Sequence, residues 1–266
     1  MNIRKYNKAF QIGLQESMAY RWNVWLEVIA LLVISFFAIL VWRYISDGTG
    51  VEGFSEQELL SYLLLSGFLF TSIHIAGSGD AVNELIKDGG LTFDLIKPWR
   101  MPIVFFLWAM AQRVFMSIAA VIGYGLMALG FGIRFWELVT IRGVLLVLPL
   151  VIIAILLEHV LFHLLSSLAF WLDQTWGPRL LLRVAMEIGA GTLIPLSLMH
   201  PSVRGLFEWL PFRFFGDVPV RTLLGQTTLE QYLPLMAIGI IWLTGVTLLY
   251  WIVWSRGIRV YGAVGN

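Results

Sequence analysis

Residues 232–254 read YLPLMAIGIIWLTGVTLLYWIVW, and none of them is charged. A helix of that length reaches across a hydrocarbon layer of ~30 Å, which needs ~20 apolar residues. Two further runs, 28–42 and 114–133, are also free of charge. The whole chain agrees with them: it is 59% hydrophobic and only 13% charged, with a net charge of +1 over 266 residues. That charged share is about half the share of an ordinary globular domain. A soluble enzyme, a secreted disulfide scaffold, a nucleic-acid binder and a disordered chain are excluded on these grounds. The predicted fold class is an all-α polytopic membrane protein forming one domain over residues 1–266. Having no cysteine, the chain lacks disulfides, thiolate metal sites and a cysteine nucleophile. No cleavable signal peptide is expected, because the first apolar run begins only near Trp25 and no small-residue cleavage pattern follows it.

Six transmembrane helices are predicted, at about 25–42, 59–77, 114–133, 143–171, 180–198 and 232–254. An even number leaves both termini on one side, and the positive-inside rule selects the side. With cytoplasmic termini, twelve basic residues, including all four lysines, fall in inner segments. Six fall in outer ones: Arg43, Arg134, Arg142, Arg204, Arg213 and Arg221. Tryptophans favour the headgroup level; Trp42, Trp136 and Trp209 mark the outer interface, and Trp22, Trp25, Trp99, Trp171, Trp176 and Trp254 the inner one.

Outside the spans, four features stand out. In residues 1–24, Ile3, Tyr6, Phe10, Leu14, Met18, Trp22 and Trp25 recur every three or four positions, which predicts an amphipathic helix in the inner interface. In the inner loop 79–102, Asp80 is the expected N-cap of a short helix that Gly89–Gly90 stops in a left-handed conformation. Its strip of Ala81, Val82, Leu85 and Ile86, opposite Glu84, Lys87 and Asp88, needs cover from either the membrane or a cytosolic partner. After this loop, starting the third span at Val114 keeps Arg113 out of the bilayer centre, with 103–112 lying along the interface. In the outer segment 199–231, prolines interrupt an apolar, aromatic stretch, and short re-entrant helices are expected. Finally, His74, Glu158, His159, His163, Arg183 and Glu187 fall inside spans, where ionisable side chains are costly. Arg183 and Glu187 are spaced for an ion pair on one helix face.

The chemical motifs are incomplete. His159 and His163 have the i, i+4 spacing of two zinc ligands, but Glu158 precedes the first histidine, unlike H-E-x-x-H. Two histidines facing neighbouring helices is the better reading. No Gly-Lys dipeptide exists for a P-loop, and no G-x-S-x-G elbow occurs. No complete catalytic constellation is present, so any energy for transport must come from elsewhere, an ion gradient included. The sequence shows no internal repeat of the kind that marks many ion-coupled carriers.

Three stretches resemble the ABC type-2 permeases of the compact six-span kind. They are GGLTFDLIKPWRMP at 89–102, the run from Phe170-Trp171 through GTLIP at 191–195 to Pro201, and LPFRFFGDVPVRTLLG at 210–225. The resemblance covers the whole chain. It implies the membrane subunit of an ATP-driven exporter in a bacterial cytoplasmic (inner) membrane, moving a small amphipathic or lipidic substrate outward. The implied partners are a cytosolic ATPase pair, a second permease copy or paralogue, and the lipid bilayer, with no nucleic acid. ATP and Mg would sit on the ATPase, leaving no catalytic residue, cofactor or metal in this chain. By the same resemblance, Asp80, Val82, Glu84, Leu85, Ile86 and Lys87 would couple to the ATPase. Spans two and five would line the path, with His74, Glu187 and Thr192 as candidates. Pro195, Pro201, Pro211, Phe212 and Pro219 would belong to the outer gate. The alternative is a stand-alone ion-coupled carrier or an intramembrane metalloprotease.

Overall fold

The computed structural model describes residues 3–51, 53–75, 79–97 and 101–261. Gly77, Pro98, Trp99 and Arg100, each part of a stretch singled out above, lie outside the described residues. Every regular element among those described is a helix: α1 (Ile3–Ala19), α2 (Arg21–Ser46), α3 (Glu56–Ile73), α4 (Asp80–Lys87), α5 (Leu91–Leu95), α6 (Met101–Phe131), α7 (Ile141–Ser166), α8 (Trp176–Gly189), α9 (Pro201–Trp209), α10 (Asp217–Leu223) and α11 (Leu229–Val260).

Four helices are long and apolar enough to cross a membrane: α2, α6, α11, and α7 together with the 3-10 turn Ser167–Phe170 that extends it. They correspond to the first, third, fourth and sixth predicted spans. The other two predicted spans map onto α3, with 18 residues, and α8, with 14. At 1.5 Å per residue these are about 27 and 21 Å long.

Local chemistry explains the helix starts. Ser55 and Glu58 form a capping box on α3, the Ser55 N–H donating to Glu58 Oε2 at 2.9 Å. Thr228 and Gln231 do the same for α11, and Thr140 Oγ1 accepts the Gly143 N–H at 2.9 Å to open α7. Each device satisfies backbone donors that a helix start leaves unpaired.

Three expected boundaries are corrected. The third span does not begin at Val114: α6 runs unbroken from Met101 to Phe131, about 46 Å. Residues 103–112 are its first turns and pack against α1. The contact is close because Gly13 of α1 lies on the backbone of Trp108, where a Cβ would come within 2.8 Å of a carbonyl oxygen. The fifth span does not continue to Leu198. It ends at Gly189, against Phe212, and the chain turns at Gly191 (φ +73°), whose missing Cβ would come within 2.4 Å of the Tyr62 hydroxyl. Ala190 and Thr192 are buried there. The N-terminal helix also stops sooner than expected, at Ala19, and Met18 and Trp22 remain exposed.

The core is built around α3, from which α2, α6, α7 and α10 exclude solvent on nearly every side. Its polar groups find partners in those neighbours. The Tyr62 O–H donates to Asp217 Oδ1 of α10 at 2.7 Å. The Tyr124 hydroxyl of α6 joins Ser35 of α2 at 2.9 Å and Thr71 of α3 at 3.0 Å. Gly67 permits this three-helix junction, since a Cβ there would lie 2.6 Å from Ser35 Oγ.

The Tyr124 junction makes the first prediction. Tyr124→Phe strands two buried hydroxyls, and each group left unsatisfied costs about 1–3 kcal/mol. Chemical unfolding in maltoside micelles is expected to show a loss of that order. An unchanged midpoint would mean that the junction holds nothing together.

Candidate functional site

Arg113 lies within α6 and Glu158 within α7, and their side chains are only 4% and 0% exposed. The Arg113 guanidinium donates through Nη2 to Glu158 Oε2. Its Nε–H donates to the Ile73 carbonyl at 2.9 Å, and Glu158 Oε1 accepts the Ile75 N–H at 3.3 Å. The two charges therefore grip the chain on both sides of His74, where α3 ends in extended backbone (φ −76°, ψ 138°). His74 itself lies 3.6 Å from Glu158 Oε1 and between the rings of Phe70 and Phe162, each 5.4 Å away. A buried charge is tolerated only when paired and hydrogen-bonded. Here the backbone of residues 73–75 supplies one bond to each side chain, and Arg113 Nη1 stays buried without an acceptor.

Next to Glu158 on α7, His159 and, one turn on, His163 bring their ring centroids within 3.9 Å, the planes tilted by 42°. They face Phe105 and Phe106 of α6 and Tyr250 of α11. His163 Nδ1 is turned toward the His159 carbonyl at 2.8 Å, so it points along its own helix. Among the described residues no group of three or more His, Cys, Asp or Glu side chains could hold a metal. That arrangement gives no support to a metalloprotease.

From residue 75 the chain leads into α4, and α4 is fastened at its other flank. Gly79, not Asp80, is the N-cap residue. It takes φ +82°, and a Cβ there would come within 2.3 Å of Ser166 Oγ on α7, so only glycine fits. Asp80 sits instead in the first turn and pairs with Arg179 of α8. Asn83 Oδ1 accepts the Thr175 O–H at 2.9 Å, and Lys87 donates to the Asp173 carbonyl. Gly89, at φ +76°, ends the helix as expected.

The apolar strip of α4 is covered by the chain itself. Val82 and Ile86 are 1% and 4% exposed, in a cluster with Leu91, Met101, Phe170 and Trp254. Leu85 is half-buried, and Glu84 faces outward. Beside it α5 leaves Phe93, Leu95 and Ile96 exposed. Of the six residues singled out on this helix, Val82 and Ile86 anchor it, Asp80 ties it to α8 and Lys87 to the segment before α8, and Glu84 is exposed beside half-buried Leu85.

The path candidates fall in two places. His74 belongs to the Arg113–Glu158 cluster, whereas Thr192 Oγ1 donates to the Glu187 carbonyl at 3.0 Å beyond the end of α8. Among the described residues no ion pair joins Arg183 to Glu187. Of the gate candidates, Pro201 opens α9 and Pro211 opens the 3-10 turn Pro211–Phe215. Phe212 packs on Gly189, Pro219 is buried within α10, and Pro195 precedes the turn Leu196–Leu198. Tryptophans lash this region to the long helices. Trp42 Nε1 donates to the Leu193 carbonyl at 2.7 Å, and Trp242 Nε1 to that of Trp209 at 2.9 Å.

Residues 28–265 match the sequence profile of a family described as ABC-2 family transporter protein. No curated protein and no solved structure matches the chain.

The charge cluster yields the second prediction. Arg113→Met leaves a buried carboxylate unpaired and is expected to cost about 3–5 kcal/mol in micellar unfolding. Adding Glu158→Leu removes that stranded charge and should restore part of the loss. What remains reflects Ile73 O and Ile75 N–H, about 1–3 kcal/mol each. Strictly additive losses in the double variant would show that the two side chains are not coupled.

Proposed function

The chain belongs to the ABC-2 transporter family, and from that premise we propose that it is the permease subunit of an ATP-driven exporter. Its cargo is a small amphipathic or lipidic molecule, taken from the cytoplasm. The observation that carries this reading is the double attachment of α4. At its start, the Arg113–Glu158 pair binds residues 73–75 to α6 and α7. Along its flank, Asp80, Asn83 and Lys87 bind it to the segment that opens α8.

In this reading α4 and α5 face the cytoplasm and receive the ATPase. Glu84 and Leu85, with the exposed Phe93, Leu95 and Ile96, form the docking surface, and buried Val82 and Ile86 keep α4 rigid beneath it. ATP and Mg stay on the ATPase. Closure of the ATPase pair pushes α4; the pair at Arg113 passes that displacement to α3, and the bonds to Thr175 and Arg179 pass it to α8. The far ends of these two helices converge where Gly191 lies on Tyr62 and Tyr62 bonds Asp217. A push on the cytoplasmic side thus reaches Pro195, Phe212 and Pro219, the outer gate. The ATPase biases the permease only by binding its conformations with different affinity.

The same reading makes α3 and α8 complete six crossings in a dimer with a second copy or paralogue. Both termini are cytoplasmic in a bacterial inner membrane. The residues of α3 and α8 then line the path, Glu187 and Thr192 among them. α1 lies in the inner interface with Met18 toward lipid and its small residues Gly13 and Ser17 on α6.

Affinity purification of the tagged chain in mild detergent, with mass spectrometry and an ATPase assay, tests this. A stoichiometric ATPase is expected. Glu84→Arg combined with Phe93→Asp should lower its recovery about tenfold, the effect of losing roughly 1.4 kcal/mol at an interface. Ile86→Asp, by contrast, should destabilise the permease itself. Recovery of the chain alone, without ATP hydrolysis, would overturn the reading.

A further inference from the structure

On the face carrying α9 and α10, the 3-10 turn Pro211–Phe215, α10 and the start of α11 enclose a cavity of about 470 Å³. Three arginines line it, Arg204, Arg213 and Arg221, in a chain otherwise poor in charge. They are not equivalent. Arg204 Nε donates to Glu208 Oε1 at 2.7 Å, so this pair is closed within α9. Arg213 spends one Nη1–H on the Glu208 carbonyl at 3.1 Å, while its Nε is buried with no acceptor. Arg221, half-buried, makes no side-chain hydrogen bond or ion pair among the described residues. It also lines the adjoining cavity of about 760 Å³, so it stands between the two spaces.

Three carboxylates, Glu208, Asp217 and Glu230, line the cavity as well; among the described residues none forms an ion pair with Arg213 or Arg221, although buried Asp217 acts on both through space. Glu208 is taken by Arg204, and Asp217 accepts the Tyr62 O–H and forms no ion pair with either arginine. Glu230 is exposed at the rim, in the first turn of α11. A buried guanidinium N–H without an acceptor costs free energy. Two guanidinium forks that approach one cavity from different elements suit an oxyanion with oxygens in several directions. We infer that this cleft binds a phosphate group, with Arg213 and Arg221 as its ligands. The phosphate is carried either by a free anion or by a lipid headgroup. The site is read from the cleft alone, so failure to recover an ATPase leaves it standing.

The test uses the full chain with whatever subunits co-purify, in maltoside micelles and phosphate-free buffer. One arm adds inorganic phosphate, and the other adds phosphatidylglycerol to the micelles, with chloride at equal ionic strength as control. Phenylglyoxal modification of Arg221, followed by peptide mass spectrometry, is expected to slow about fivefold or more when the site fills, while exposed Arg134 reacts unchanged. Binding by calorimetry should weaken about tenfold in Arg221→Gln, the loss expected for one charge-assisted contact, and little in Arg204→Gln. Protection by inorganic phosphate identifies a free anion. Protection by the lipid alone identifies a headgroup. Protection by neither, or equal binding by wild type and Arg221→Gln, overturns the site; the modification arm needs no variant to fold.

Discussion

One buried ion pair organises this molecule. Arg113 and Glu158 sit where neither could remain charged alone, and each also bonds backbone from the end of α3. The cost of leaving either charge unpaired, several kcal/mol, therefore holds three segments at one point: the middle of α6, the middle of α7, and residues 73–75. Everything on the α4 side inherits its position from that point. Because Gly79 lies directly on Ser166 and Asp80 pairs with Arg179, α4 has little freedom to move without taking α3 and α8 along.

The features legible in the sequence were those with a local cause. Charge-free runs marked the long helices, Gly89 stopped α4, and the prolines at 201 and 211 opened short helices as their fixed φ requires. Two of the corrections share a different origin. Arg113 read as a charge to be kept from the bilayer because its partner lies 45 positions away, and nothing near either residue advertises the other. Likewise, α8 breaks at Gly189 because Phe212 and Tyr62 press on the glycines there, from segments far along the chain. The glycines at 189 and 191 were a visible signal, but without their neighbours they fit a packed helix as well as a break.

The apolar strip of α4 was also visible, and its period was right. What the period could not reveal was its cover, which comes from Phe170, Trp254 and Met101. In the proposed reading a partner surface is therefore defined by what remains outside, Glu84 and the exposed part of α5, and not by the most hydrophobic positions. The same caution applies to the histidines on α7. Their spacing suits a metal, yet one ring nitrogen of His163 is turned toward its own helix, and among the described residues no third ligand side chain gathers with them.

The central position of α3 bears on how the protein is made. This helix carries Ser61, Tyr62, Ser66 and Thr71 in its buried interior, and two acidic residues in its first turn. It is a poor candidate to partition into lipid unaided. Apart from α2, its shelter is supplied by helices synthesised afterwards, and Tyr62 finds its acceptor only when Asp217 of α10 has left the ribosome. The third helix in order of synthesis is thus among the last to reach its final surroundings. Until then it depends on the insertion machinery or on α2 for cover, which makes biogenesis of this chain a cooperative, late-closing event.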